Sequence, residues 1–431
     1  MAVTARVQPS AYMPAYNPQW FVYTSNQTAQ PNFRYRIICE DVTTGATSSK
    51  DVYMDASGYC RFDAGAFAEQ YISQVNPSNT YGFQTNTGAL RQIRVNVGEV
   101  YGSTPAYYAG SNFYYYVWNG SLDFLSNDSA DFQNYVYTNY VYSSSNNIQV
   151  LTNNKNSAYT WTTSSNPPYY SYDESVASSR STYLSFISLP NSFEKIQVVG
   201  FASDGSQLGS TVIGNTVSGS SGVNQYRYID VGYNGLANMP SNQVLSGTYP
   251  IPVSTYDYWI VYDVSSWLPQ SVAPAEPYIY PLKRFNKICE PRFDVIELHY
   301  QTPEGNMESQ VFPKMSLRTS EGTKIYYSQY PYYYSGYTPV YDYGTMVEKM
   351  LSATSKDKIT INTDWLTENE VYRLRDVITS PIVYVDMGNT RGYLSVKVVD
   401  NSFTVNKKYN SQMLSVSMNL EFNHMNIRQR G

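Results

Sequence analysis

The chain has 431 residues, 29 Lys and Arg against 34 Asp and Glu, and a formal net charge of −5. No basic run suggests a phosphate-tracking groove, so sequence-specific nucleic-acid contact is not expected. No stretch of about 18 apolar residues exists, so no membrane insertion is expected.

The first segment, 1–118, reads as an extended arm followed by an antiparallel β-sandwich. Pro9, Pro14 and Pro18 break any helical period, and Tyr12, Tyr16, Trp20, Phe21 and Tyr23 are interleaved with them. A strand is predicted at 19–24 and another at 33–39, turned at Thr43-Thr44-Gly45. Asp51–Asp55 reads as a further strand, and Ala64–Tyr71 is compatible with a short helix. Residues 92–101 alternate cleanly, with Ile93, Val95 and Val97 on one side and Gln92, Arg94 and Asn96 on the other. Phe113–Trp118 adds a strand before the Asn119-Gly120 turn.

Residues 119–185 are rich in Tyr, Ser and Asn and read as an insertion. Their few aliphatic residues argue for disorder, while Phe124, Phe132, Tyr135, Tyr137, Tyr140, Tyr142 and Trp161 argue for a loop region ordered by contacts. A second β-domain is predicted over 186–264. Its first hairpin joins 195–201 to 207–213 through Asp204-Gly205, and strands follow at 226–232 and 256–264. Pro269, Pro274, Pro277 and Pro281 make 265–282 an extended linker.

The C-terminal β-domain is predicted over 283–431, with strands at 293–300 and 310–317. Residues 325–343 hold nine tyrosines in nineteen positions. They read as a low-complexity loop, or as an aromatic loop for sugar stacking or subunit docking. A helix is predicted over 368–379. Thr367 is its N-cap, Glu370 completes a capping box, and Leu366 and Val371 form a hydrophobic staple. Val371, Leu374, Val377 and Ile378 share one face, and Ser380-Pro381 stops the helix. Strands at 382–386, 393–399, 403–407 and 413–422 form a meander. The fold class is therefore mainly β, with two or three antiparallel sandwich or meander domains and one short C-terminal helix.

Tyrosine dominates the aromatics, with 46 Tyr against 16 Phe and 6 Trp. A ring that packs while its hydroxyl stays available suits half-buried strands and large polar interfaces. The charge is uneven. Residues 282–431 carry 18 Lys and Arg and 16 Asp and Glu, net +2, and residues 1–281 carry 11 and 18, net −7. Cys39, Cys60 and Cys289 are too few and too scattered for a disulfide framework and read as buried free thiols in a reducing compartment. No apolar signal-peptide segment follows Met1.

Catalytic patterns are absent: there is no GxSxG, HExxH, P-loop or strand-linked GxGxxG. Glu297 and His299 share one strand face, yet two residues do not make a site, and His299 reads as a structural histidine. Remote carboxylate pairs leave no local signature, and acids such as Asp123 and Asp131 stand out no more than surface acids do. No enzyme activity, catalytic residue, metal or cofactor is expected.

The lead-in VTARVQPSAYMPAYNPQWFVYTSNQTAQPNFRYRI resembles the N-termini of structural proteins from crAss-like tailed phages of Bacteroidales. The block RFDVIELHYQTPEGNMESQVF resembles the same set, as do WLTENEVYRLRDVITSPIVYVD, GYLSVKVVDNSFTVNKK and LSVSMNLEFNHMNIRQR. The resemblance covers both ends, about half of the chain, and rests on strand and turn patterns. It implies a virion protein of the tail or portal-proximal neck, assembled in the host cytoplasm. It also implies a homo-oligomeric ring, twelve-fold or six-fold, around the DNA channel, with other tail or neck proteins as neighbours. The expected subunit-interface residues are Tyr12, Tyr16 and Trp20 of the arm and Tyr332, Tyr333, Tyr334 and Tyr337 of the tyrosine-rich segment. The alternatives are a carbohydrate-binding tail adhesin and a tail-associated glycan-degrading enzyme.

Overall fold

A computed structural model of the chain describes residues 3–74, 80–121, 148–151, 173–176, 181–188, 195–214, 225–264, 279–287, 293–303, 305–328, 332–341, 348–366, 368–386, 392–399, 406–407 and 414–430. Its architecture is mainly β, with several antiparallel sheets. The chain groups into two compact units. The first comprises 1–288 and 301–309, and the second 289–300 and 310–431.

In the first unit, the alternation of 92–101 becomes a 12-residue strand, Leu90–Tyr101, flanked by Arg34–Asp41 and Asn112–Trp118. Ile93, Val95 and Val97 are fully buried. Phe21 packs against Phe62, Phe113 and Tyr115, which fixes Trp20–Ser25 over this core. Arg34 and Arg36 both bond Asp51 across the neighbouring strand. Those two guanidiniums, Arg36 first, hold the Asp51 carboxyl down at about 2. Cys39 and Cys60 are buried free thiols, and burial pushes them up to about 11 and about 12. Cys289 lies outside the described residues.

Segments 1–118 and 186–264, expected as separate domains, fall in this one unit. The physical reason is a shared sheet. Phe83–Asn86 pairs with Gln225–Asp230, which in turn pairs with Tyr183–Ser188. Phe83, Phe186, Ile229 and Trp259 then belong to one buried cluster. The expected 119–185 insertion contributes Ile148–Leu151, which pairs with Tyr183–Ser188, and Asp173–Val176, which runs parallel to Ile279–Lys287. The aromatics from Phe124 to Trp161 named above lie outside the described residues. So does most of the predicted linker; its last residues, 279–282, form the start of Ile279–Lys287, paired to Tyr258–Val264.

One helix beyond those expected is Tyr233–Ala237. Glycine inside a single turn gives no periodic signal, and the turn is set by its surroundings. The Asp230 carboxylate accepts from the Gly232 and Thr182 N–H groups, each at 2.9 Å. Further polar pairing ties the late segment 301–309 to earlier parts of this unit: the Gln301 amide meets the Asn119 amide, and the Tyr226 hydroxyl donates to the Gly305 carbonyl at 2.8 Å.

The second unit is built on a seven-stranded sheet. In spatial order its strands are Met307–Phe312, Ile296–Gln301, Val383–Asp386, Tyr393–Val398, Ser417–Arg430, Glu348–Asn362 and Leu317–Ser328. Helix Glu368–Thr379 places Val371, Leu374 and Val377 in the buried cluster with Leu298, Val385 and Leu420. Leu366 and Val371, the staple pair, are both buried in that cluster. Thr367 and the Glu370 side chain, which would form the capping box, lie outside the described residues. At the other end the Ser380 hydroxyl donates to the Ile382 carbonyl, beside Pro381.

Candidate functional site

Two strands of the second unit form a long antiparallel ribbon. Leu317–Ser328 pairs with Glu348–Asn362 from Leu317↔Thr360 to Ser328↔Glu348. Twelve strand residues span about 40 Å. Leu317–Ser328 is one of the sheet's two edge strands, and all twelve of its residues are exposed. The rungs are polar. Lys358 bonds Glu321 and Lys356 bonds Glu421, each at 2.7 Å, and the Thr360 hydroxyl donates to Asn419. The carboxylate of Glu321 raises the Lys358 ammonium, and the ammonium of Lys356 lowers the Glu421 carboxyl. Cross-strand pairs of this kind hold register where no buried face can.

Between these strands in the chain lies a second hairpin, Tyr332–Ser335 with Thr338–Tyr341. Gly336, at φ +64°, opens the two-residue turn, a position where glycine is favoured. Tyr333, Tyr334 and Tyr341 are exposed, and Tyr337 at the turn is 103% exposed. Ile325, Tyr326 and Tyr327 on the edge strand are exposed as well. The described residues of the tyrosine-rich segment are therefore strand and hairpin. The Tyr332 side chain lies outside the described residues.

The N-terminal candidates divide. Tyr12 is buried, stacked on Tyr116 with ring centroids 5.5 Å apart. Its strand, Tyr12–Pro14, runs parallel beside Asn112–Trp118, and the Ala15 and Tyr16 N–H groups donate to Trp118 and Gly120. Val3–Val7 pairs with Trp20–Ser25. The expected free arm is thus a part of its own unit, because its N–H and C=O groups find partners there. Tyr12, expected at a subunit interface, instead packs inside its own unit. Tyr16 is half-buried, and burial raises its hydroxyl, with Glu69 adding to the rise. Trp20 stays 54% exposed.

A third arrangement joins residues that the sequence kept apart. Glu297 and His299 sit on one face of Ile296–Gln301, as alternation requires. Asp386 stands directly opposite Glu297 across the ladder, and Tyr384 opposite His299. One ligand-type atom from each of Glu297, His299 and Asp386 lies within 4.8 Å of the others. Asp386 escaped sequence reasoning because only the strand register brings it to the pair.

No protein-family model matches the chain, and no curated protein matches it.

Proposed function

We propose that this chain is a non-enzymatic structural protein of a tailed-phage virion, which associates with copies of itself into a ring or collar of the tail or neck. The observation that carries the reading is the ribbon and its hairpin. A long exposed edge strand leaves a row of backbone N–H and C=O groups open to another chain. The same segment carries Leu317, Ile325, Tyr326, Tyr327, Tyr333, Tyr334 and Tyr337 in solvent. Apolar and aromatic surface concentrated this way marks interaction sites, and tyrosine is enriched at them. The occupant we favour is a second copy, because the chain is charged unevenly: net −7 over 1–281 and net +2 over 282–431. Segments of opposite net charge on two copies attract, which favours a heterologous contact of the kind that closes rings.

Negative-stain electron microscopy and mass photometry of the purified full chain test this. Rings of fixed size are expected. The triple change Tyr333→Ser, Tyr334→Ser, Tyr337→Ser is expected to leave monomers whose unfolding midpoint is unchanged. A wild-type chain that stays monomeric at high micromolar concentration overturns the ring.

The exposed ring faces of Tyr333, Tyr334 and Tyr337 favour one further reading, a carbohydrate-binding tail adhesin. Glycan-array binding by wild-type chain, lost in the same triple variant, would support it over self-assembly.

A further inference from the structure

We infer that Glu297, His299 and Asp386 form a binding site for a divalent transition-metal ion, with Zn2+ the best-fitting one. The site is independent of the assembly reading.

Three observations carry it. First, the three side chains come from rigid backbone. Glu297 and His299 alternate on one strand, and Asp386 is the cross-strand partner of Glu297. Such placement leaves only side-chain torsions to adjust. Second, the donor atoms are close. His299 Nε2 is 3.7 Å from Glu297 Oε1, and all three donors lie within 4.8 Å. Ligand atoms about 2.0–2.1 Å from a tetrahedral ion stand about 3.3 Å from one another. Rotations that move the donors by about 1 Å or less would bring them there, with no shift of the strands. Third, Glu297 and His299 are both 0% exposed, and Asp386 is half-buried. A divalent ion held by two carboxylates and a neutral imidazole makes a bound cluster without net charge. Removing charge from water is costly unless it is neutralised in place.

The donor chemistry selects the ion. One imidazole with two carboxylates and no thiolate suits Zn2+, Fe2+, Ni2+ or Cu2+ better than Ca2+ or Mg2+, which prefer all-oxygen sets. The ring of Tyr393 meets the His299 imidazole edge-on, with centroids 4.9 Å apart, and limits its rotation. Tyr393 itself is the cross-strand partner of Asp386, so three neighbouring strands build the site and its support. A bound ion would clasp the second and third strands of the seven-stranded sheet.

The test uses the full chain, stripped with EDTA and then titrated with Zn2+ and with Co2+ alone. One equivalent bound per chain and a raised thermal midpoint are expected. X-ray absorption at the zinc edge should show one imidazole and otherwise oxygen donors. Asp386→Asn should weaken binding at least tenfold, while Asp364→Asn, an exposed acid of the same unit, should leave it unchanged. Glu297→Gln should abolish binding if the variant folds; the titration and the absorption spectrum of the unaltered chain need no variant. The inference is overturned if the stripped chain takes up neither ion at micromolar concentration, if sulfur or no imidazole appears at the zinc edge, or if Asp386→Asn binds as wild type does.

Discussion

Truncating Leu374 to alanine opens a void in the core of the second unit. Leu374 is 0% exposed and lies in the cluster with Val371, Val377, Val385 and Leu420. The change removes about three methylene equivalents, worth about 2.4 kcal/mol at about 0.8 each. The cavity adds to this, because strands on one side and the helix backbone on the other restrict collapse, so the expected loss is about 3–4 kcal/mol. The chain has two units, and a single unfolding midpoint would mix them. Hydrogen exchange read by mass spectrometry separates them. Amides in 371–379, 383–386 and 417–422 should open at least a hundredfold more often, since about 1.4 kcal/mol is a factor of ten. Amides in 90–101, in the other unit, should exchange as in wild type. A loss under about 1 kcal/mol, or equal acceleration in 90–101, would refute the core assignment or the independence of the units.

Two further predictions concern the first unit. Asp230 is buried, and desolvation pushes its carboxyl up to about 6, against the opposing effect of the hydrogen bonds it accepts. Its unfolded value is about 3.9. The folded state therefore holds the proton longer, so this group's contribution to stability is greatest below about pH 4 and falls as pH rises through about 6. Asp230→Asn should flatten that slope in urea titrations between these pH values, and parallel slopes for the two proteins would sink the idea. Gly235→Ala would drive a Cβ into the Asp230 carboxyl carbon and backbone carbonyl oxygen. It should cost about 1–3 kcal/mol, and an unchanged thermal midpoint would show that the turn yields freely.

Much of the fold is legible from alternation where one face is buried. Leu90–Tyr101 announces itself, and so does the helix face Val371, Leu374, Val377; Lys195–Phe201, with five consecutive buried residues, is announced by its Asp204-Gly205 hairpin turn instead. Glu348–Asn362 does not, although it is the longest strand. Its sequence EKMLSATSKDKITIN alternates only at its end, where Ile359 and Ile361 are buried; elsewhere no core selects its residues. The pairing of Phe83–Asn86 with Gln225–Asp230 is illegible for a different reason: nothing local specifies a partner so far along the chain. The candidate site shows the same division. Alternation places Glu297 beside His299, but only the register of Val383–Asp386 supplies Asp386. The exposure of the tyrosine hairpin rests on a turn glycine that sequence does contain, hidden among aromatics that read equally as a loop.

The discontinuity of the first unit has a consequence for synthesis. Phe83–Asn86 emerges from the ribosome long before its partner Gln225–Asp230, and Asn119 waits longer still for Gln301. At about 5–20 residues per second the first of these gaps lasts on the order of ten seconds. During that interval a nascent strand edge stands open, next to identical edges on neighbouring ribosomes of the same message. A chain whose first unit closes only after residue 309 is made cannot be matured from its N-terminal half. Fragments ending near 264 should therefore aggregate, and expression yield should depend on slow elongation or on chaperones that shield the edge until the distant hairpin arrives.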